Sequence, residues 1–253
     1  MAKTLGGSIF VHNGITQDYC IEESIKCLQE FCDEVVIMDA GSTDGTRDLI
    51  YSLTNSKTYV LSVGNNEWLA QEGKWKLSHF TNMAISALGT DYNFNLQADE
   101  ILHEKSYDAV RRAIETDLEA FMCTRINLWG NPNTMLHVEH HRQPCSNQII
   151  RLAKTQFRSY DDAESLSVPC VYGDFLNDIR IYHMGFVRKR EIHPNKIRHM
   201  QGEVFRVGID SKLEGMDFFD PYKWFDKEKD LMPIQEDLPL IIQNWAKERT
   251  YDN

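Results

Sequence analysis

The chain has 253 residues, of which 42% are hydrophobic, 11% aromatic and 26% charged, a composition that excludes disordered, collagen-like and coiled-coil classes. Its 27 basic residues against 38 acidic ones leave a formal net charge of -11, so there is no global basic field to hold nucleic acid or an anionic membrane, and any polyanion must be met by a local patch. No apolar run approaches the roughly 20 residues of a spanning helix, and the first residues lack the basic-then-apolar build of a signal peptide, which predicts a cytoplasmic, unanchored protein.

Ser8-Ile9-Phe10-Val11 predicts a buried first strand that ends in the polar turn His12-Asn13-Gly14. Ile21, Ile25, Leu28 and Cys32 recur at helical spacing, and Val35-Val36-Ile37-Met38 then predicts a second buried strand. Thr43 or Asp44 can cap a helix carrying Leu49, Ile50 and Leu53, and residues 59–63 have the β-branched and aromatic content of a third strand. Leu77, Phe80, Ala84, Ala87 and Leu88 predict another helix closed by Gly89, after which Tyr92, Phe94 and Leu96 alternate with polar residues as a strand. A helix with Tyr107, Val110 and Ile114 follows, then strand-like residues 120–126 and 149–152. The rhythm predicts an α/β fold with a mostly parallel central sheet flanked by helices. From about Gln156 the periodicity weakens, and Phe218, Phe219, Tyr222 and Trp224 crowd around Pro221, so the tail is expected to be decoration rather than sheet. The division predicted is a main domain over 1–200 and an irregular, aromatic-rich extension over 201–253 packed on it. Cys20, Cys27, Cys32, Cys123, Cys145 and Cys170 form no Cys-x-x-Cys pair, so reduced packing thiols are expected.

In an open α/β sheet, ligands bind beyond the carboxyl ends of the strands. One polar cluster there is Asp39-Ala40-Gly41-Ser42-Thr43-Asp44-Gly45-Thr46, where an acid ends a buried strand and glycines admit close approach of a ligand such as a nucleoside. A second is Gln97-Ala98-Asp99-Glu100, with carboxylates placed to hold a hard divalent cation, or simply to start a helix. His137-Val138-Glu139-His140-His141 lacks the spacing of a zinc helix and reads as a solvated loop. Gly6-Gly7 precedes its strand, which removes a dinucleotide fingerprint. Between Arg188 and Arg198 five basic residues stand against Glu191 alone, either a solvated face or a holder of diphosphate or a polyanionic acceptor.

In order and separation the two acidic clusters resemble those of family 2 glycosyltransferases, inverting nucleotide-sugar enzymes of the GT-A fold. The resemblance covers residues 7–105 and rests on Asn13, Asp39 to Thr46, Asn82 and Leu96-Gln97-Ala98-Asp99-Glu100, with Gln97 standing where the family has the first acid of its Asp-x-Asp. A sub-group extends it to Ser159-Tyr160-Asp161-Asp162-Ala163 and to Tyr182-His183-Met184-Gly185-Phe186-Val187-Arg188, with Lys196 beyond. The resemblance implies donor contacts at Val11, Asn13, Asp39, Gly41, Ser42, Asp44, Asn82, Gln97, Arg188 and Lys196. It implies metal contact at Asp99, with His183 touching metal or diphosphate, and a base at Asp162 or Glu164. The co-substrate would be a nucleotide sugar, by analogy a uridine diphosphate sugar, with Mn2+ or Mg2+ as cofactor. The acceptor would be a saccharide or, given the basic run, a hydroxylated base in DNA. Because of Gln97, a non-catalytic nucleotide-sugar-binding protein of the same fold is the alternative.

Overall fold

The computed structural model describes residues 2–137, 146–189, 191–204, 226–247 and 249, with the backbone alone at 197–198 and 201–203. In chain order the elements are β1 (Leu5–Val11), α1 (Ile21–Phe31), β2 (Glu34–Asp39), α2 (Thr46–Ser52), β3 (Thr58–Ser62), α3 (Asn65–Ala70), α4 (Trp75–Ser86), β4 (Tyr92–Leu96), β5 (Glu100–Leu102) and α5 (Tyr107–Glu115). There follow β6 (Ala120–Trp129), β7 (Asn131–Leu136), β8 (Gln148–Lys154), the short β9 (Arg158–Ser159) and β10 (Leu166–Ser167), β11 (Arg180–Phe186), α6 (His193–Arg198), a π-helical turn His199–Val204, β12 (Leu231–Pro233) and α7 (Leu240–Lys247).

The result is a mixed α/β architecture around one large sheet. Its main path runs β12-β7-β6-β8-β4-β1-β2-β3, with β11 seated between β6 and β5. The expected parallel pairing holds in the half that the βα rhythm announced, β4-β1-β2-β3. Beyond β4, antiparallel pairings take over through β8, β6, β7 and β12. In β2, Val35 and Ile37 enter one apolar cluster with α1, α5 and α7, whereas Val36 and Met38 enter another with α3 and α4. A two-residue side-chain period with both faces covered explains why this strand reads as an unbroken apolar run.

Three expectations need correction. All five residues of β4 are buried, because β1 and β8 flank it and both faces are covered, so Asn95 is satisfied internally by Ser8 O at 3.2 Å and Ser8 Oγ at 3.0 Å. Sheet does continue past residue 156: β11 has a buried interior Ile-Tyr-His-Met-Gly, whose polar members hide it from an apolar-run criterion. Within the extension, β12 adds an antiparallel edge to β7, and α7 sends Ile242 and Trp245 into the main core. The aromatic group at 218–224 lies outside the described residues, as do Cys145 and most of the histidine-rich run beginning at His137. Cys20, Cys27, Cys32 and Cys123 are buried free thiols, as expected of packing residues. No helix among the described residues is long and apolar enough to cross a membrane.

Candidate functional site

Because β1, β2 and β4 run parallel, with Val11 opposite Asp39 and Ile9 opposite Leu96, the turns that follow them emerge at one edge of the sheet. A cavity of about 270 Å³ opens there. Phe10, Trp68, Leu77, Met200 and Val204 form its apolar part, while Gln97, Asp99, Arg125, Asp162, Glu164, His183 and Lys196 supply polar groups.

Asp99 is assembled with partners from far along the chain. The register of β11 sets His183 opposite Glu100 on β5 and Asn127 on β6, and Met184 N donates to Asp99 O at 2.7 Å. Asp99 Oδ2 accepts from Lys196 Nζ at 3.1 Å and lies 3.7 Å from Arg188 Nη2; Oδ1 lies 3.8 Å from His183 Nε2. Burial would raise the Asp99 pKa, but Lys196, His183 and Arg188 outweigh it and hold the carboxyl well below the usual carboxylate range. Burial pushes His183 down to about 4, so it is neutral near pH 7, and its Nδ1 lies 3.0 Å from Asn127 Oδ1. That contact makes Nδ1 the protonated nitrogen and turns the Nε2 lone pair toward Asp99. Gly185 is required here, since a Cβ would stand 2.3 Å from His183 Nε2.

The turn after β2 is closed on itself. Asp39 is fully buried, accepts Ser42 N at 3.0 Å and pairs with Arg47 Nε at 2.6 Å. Asn13 N donates to Ser42 Oγ at 2.9 Å, and Asn13 Oδ1 accepts Thr43 N at 2.7 Å. Asp44 accepts Thr16 N at 2.7 Å and Thr46 N at 3.1 Å, but the N-cap of α2 is Gly45 with φ 90°, so Asp44 ties the turn just ahead of the helix instead of capping it as expected. Gly41 has φ 83°, and a Cβ there would lie 2.7 Å from Asn65 Cα. Of the residues expected at the donor, Val11, Gln97 and Lys196 line the cavity; Asn13, Asp39, Gly41, Ser42, Asp44, Asn82 and Arg188 do not. Arg188 is buried beside Asp99, whereas Asn13, Asp39, Ser42, Asp44 and Asn82 spend their side-chain polar groups inside the protein. Asn82, for example, exchanges two hydrogen bonds with the Ser159 backbone, at 2.9 and 2.8 Å.

The loop 161–164 brings Asp162 and Glu164 to the same cavity. Asp161 and Ala163 flank Asp162 with φ of 57° and 59°, a left-handed conformation costly for residues with a Cβ. A buried network holds it. Gln97 Nε2 and Arg151 Nη1 each donate to Ala163 O at 3.3 Å, Arg151 binds both oxygens of Glu100 at 2.8 Å, and Arg125 joins Glu100 to Glu164. Asp161, the neighbouring acid, is paired with Lys74 Nζ at 2.5 Å. Burial would raise Glu164, but Arg125 and Ser146 N bring it below its ordinary value. A carboxylate so held is a poor proton acceptor, which leaves Asp162 as the better placed of the two.

Several cavity residues carried no sequence signal. Trp68 sits on the six-residue α3, too short to show periodicity, and stacks on His12 with centroids 4.1 Å apart and planes 7° from parallel. Burial lowers His12 to about 4. Arg125 lay unremarked inside a predicted strand, and Tyr19, whose ring underlies Lys196 and Arg188 at 5.1 and 5.3 Å, followed an unassigned loop.

No protein-family model matches the chain, and no curated protein matches it. Among solved structures it is similar to S. aureus TarS residues 1–349 in complex with UDP, at 13% identity and a TM-score of 0.47 over 89% of this chain and 73% of that one. The complex of the same fragment with UDP-GlcNAc gives 13% identity and 0.47 over 79% and 67%. The fragment without a named ligand gives 13% and 0.45 over 79% and 66%, so this chain spans just under two thirds of it; against TarS itself it spans 40%.

Proposed function

We infer that the cavity binds a nucleoside-diphosphate sugar and transfers its sugar, with inversion, to a hydroxyl of a saccharide acceptor. The observation that supports this best is the joining in one cavity of a strand-end acid held by cations, Asp99, with a second acid on a strained loop, Asp162. The apolar part beside the His12–Trp68 stack fits a nucleobase, and a uridine diphosphate donor follows from the resemblance of the acidic clusters to family 2 glycosyltransferases.

Asp99 Oδ1 and His183 Nε2 suit a divalent cation: a carboxylate and a neutral imidazole face each other, and the second imidazole nitrogen is anchored by Asn127. Two protein ligands are enough for Mn2+ or Mg2+ when diphosphate oxygens complete the shell. Such an ion supplies neutralising charge to the leaving diphosphate. Lys196 and Arg188 add fixed positive charge at the same place. Asp162 takes the proton of the acceptor hydroxyl while its oxygen bonds to the anomeric carbon; the bond from that carbon to the diphosphate breaks, and the nucleoside diphosphate leaves. A single in-line displacement inverts the anomeric centre. Gln97 supports an active site rather than a decayed one, because its amide donates to Ala163 O, which an aspartate could not do. Two cations of the basic run, Arg188 and Lys196, are committed to Asp99 and not to a DNA surface: Arg188 is buried and the Lys196 side chain is 14% exposed.

The test is a thermal-shift screen of nucleotide sugars with and without Mn2+, followed by hydrolysis and transfer assays on the sugar that stabilises most. A stabilising donor that is hydrolysed faster with Mn2+ supports the enzyme reading. Stabilisation with no turnover on any saccharide favours the binding-protein alternative, and no stabilisation by any nucleotide sugar defeats both.

A further inference from the structure

Asp99 is approached from two sides by groups of different character. Lys196 and Arg188 face Oδ2, whereas His183 faces Oδ1. Among the described residues, Lys196 and Arg188 thus bring two positive charges within 4 Å of its one negative charge. At the Asp99 carboxylate, a divalent cation arriving alone must compete with these two charges, while a diphosphate is attracted by them. The ammonium is also built into its place. Gly185 O accepts from Lys196 Nζ at 3.0 Å and from Arg188 Nη2 at 2.7 Å, and the Tyr19 ring lies beneath both cations. Burial in this clamp strengthens the hold on Asp99, since the effective dielectric is lower than in water.

We propose that Lys196 competes with the divalent cation for Asp99, so that the cation binds tightly only together with the donor diphosphate, which draws the ammonium off the carboxylate. This rests on the donor-and-cation reading above. Arrival of the diphosphate does two things at once: it gives Lys196 a more highly charged partner, and it adds oxygen ligands for the ion. Each ligand therefore raises the affinity of the other by the same factor. The ion alone gains Asp99 only by displacing the ammonium from its 3.1 Å contact.

The experiment is calorimetric titration of Mn2+ into the parent protein and into Lys196→Met, Lys196→Gln and Asp99→Asn, each with and without saturating UDP. Lys196→Gln keeps a polar head at this position without the charge, and the unfolding midpoint of each variant establishes that it is folded. The parent is expected to bind Mn2+ at least about fivefold more tightly with UDP than without. Both Lys196 variants are expected to bind Mn2+ alone about tenfold more tightly than the parent and to lose most of the UDP coupling. Equal Mn2+ affinity in the parent and folded Lys196 variants, abolished by Asp99→Asn, overturns the competition and leaves the cation reading standing. Absence of Mn2+ binding in the parent and the Lys196 variants, with UDP as well as without, overturns both.

Discussion

The turns after β2 and β4 carry the same sequence signal, an acid at the carboxyl edge of a parallel sheet, yet the fold uses them differently. Asp39 is closed by its own neighbourhood, since Ser42 is three residues on and Arg47 eight, and none of its surface remains exposed. Asp99 takes its partners from β11 and α6, more than eighty residues later, and lines the cavity. Position at a strand end selects candidates, and the origin of the partners separates them. An acid neutralised locally organises a turn, whereas one faced by distant cations sits where separate segments converge on a cavity.

Three substitutions would break or sharpen that contrast. The largest effect is expected at Asp162, which the Asp99 side positions through Gln97 and Arg151: Asp162→Asn should slow transfer by about 10² to 10⁴ with donor affinity unchanged. Loss of rate and donor affinity together would assign Asp162 to the donor instead. Next, Asp99→Asn leaves two cations without their acid, costing about 3 kcal/mol of stability by denaturant unfolding, and abolishes metal stimulation while metal-free UDP binding persists on Lys196 and Arg188. Retained metal stimulation would remove Asp99 from the cation site. Smaller still, Asp39→Ala strands Ser42 N and removes the partner of Arg47 Nε, whose Nη2 keeps its bond to Val63 O, costing about 1–3 kcal/mol, with UDP affinity in the folded protein changed by less than about threefold. A large loss of UDP affinity at unchanged stability would return Asp39 to the donor site and erase the contrast.

The amino-terminal half was legible because its elements advertise themselves locally, as apolar runs at β1 and β2 and helical spacing in α1 and α4. The acids of the site were legible for the same reason. What joins them was not. That Arg151 clamps Glu100, or that β11 enters between β5 and β6, depends on pairings across 51 residues or more, and a run such as Ile-Tyr-His-Met-Gly gives no periodic sign of a buried strand. The pairing of Asp39 with Arg47 was not legible, because nothing in the local sequence distinguishes an arginine that pairs from one that points to solvent.

The last test compares the two turns through their histidines. His12 belongs to the Asp39 side, with Nδ1 3.0 Å from Ala40 O, and His183 to the Asp99 side. Burial lowers both to about 4, and His193, packed under Phe186, to about 3. An unfolded histidine titrates near 6.5. Above that pH these residues are neutral in both states and add no slope. As pH falls from about 6.5 toward 4, the unfolded chain takes up protons that the folded one refuses, so stability drops by at most roughly 1.4 kcal/mol per pH unit for each histidine. Asp99 and Glu100, whose folded pKa values are depressed, act in a separate window, their contribution being lost only below about pH 4. Urea unfolding at several pH values between 7 and 4.5 should therefore show a falling stability whose slope is reduced by His12→Gln. The His183 share should match that of His12, because both are lowered to about 4 even though Asp99 at 3.8 Å from His183 favours its protonated form. A flat profile would mean that these rings are hydrated in solution, and a much smaller loss of slope from His183→Gln than from His12→Gln would mean that Asp99 offsets burial at His183.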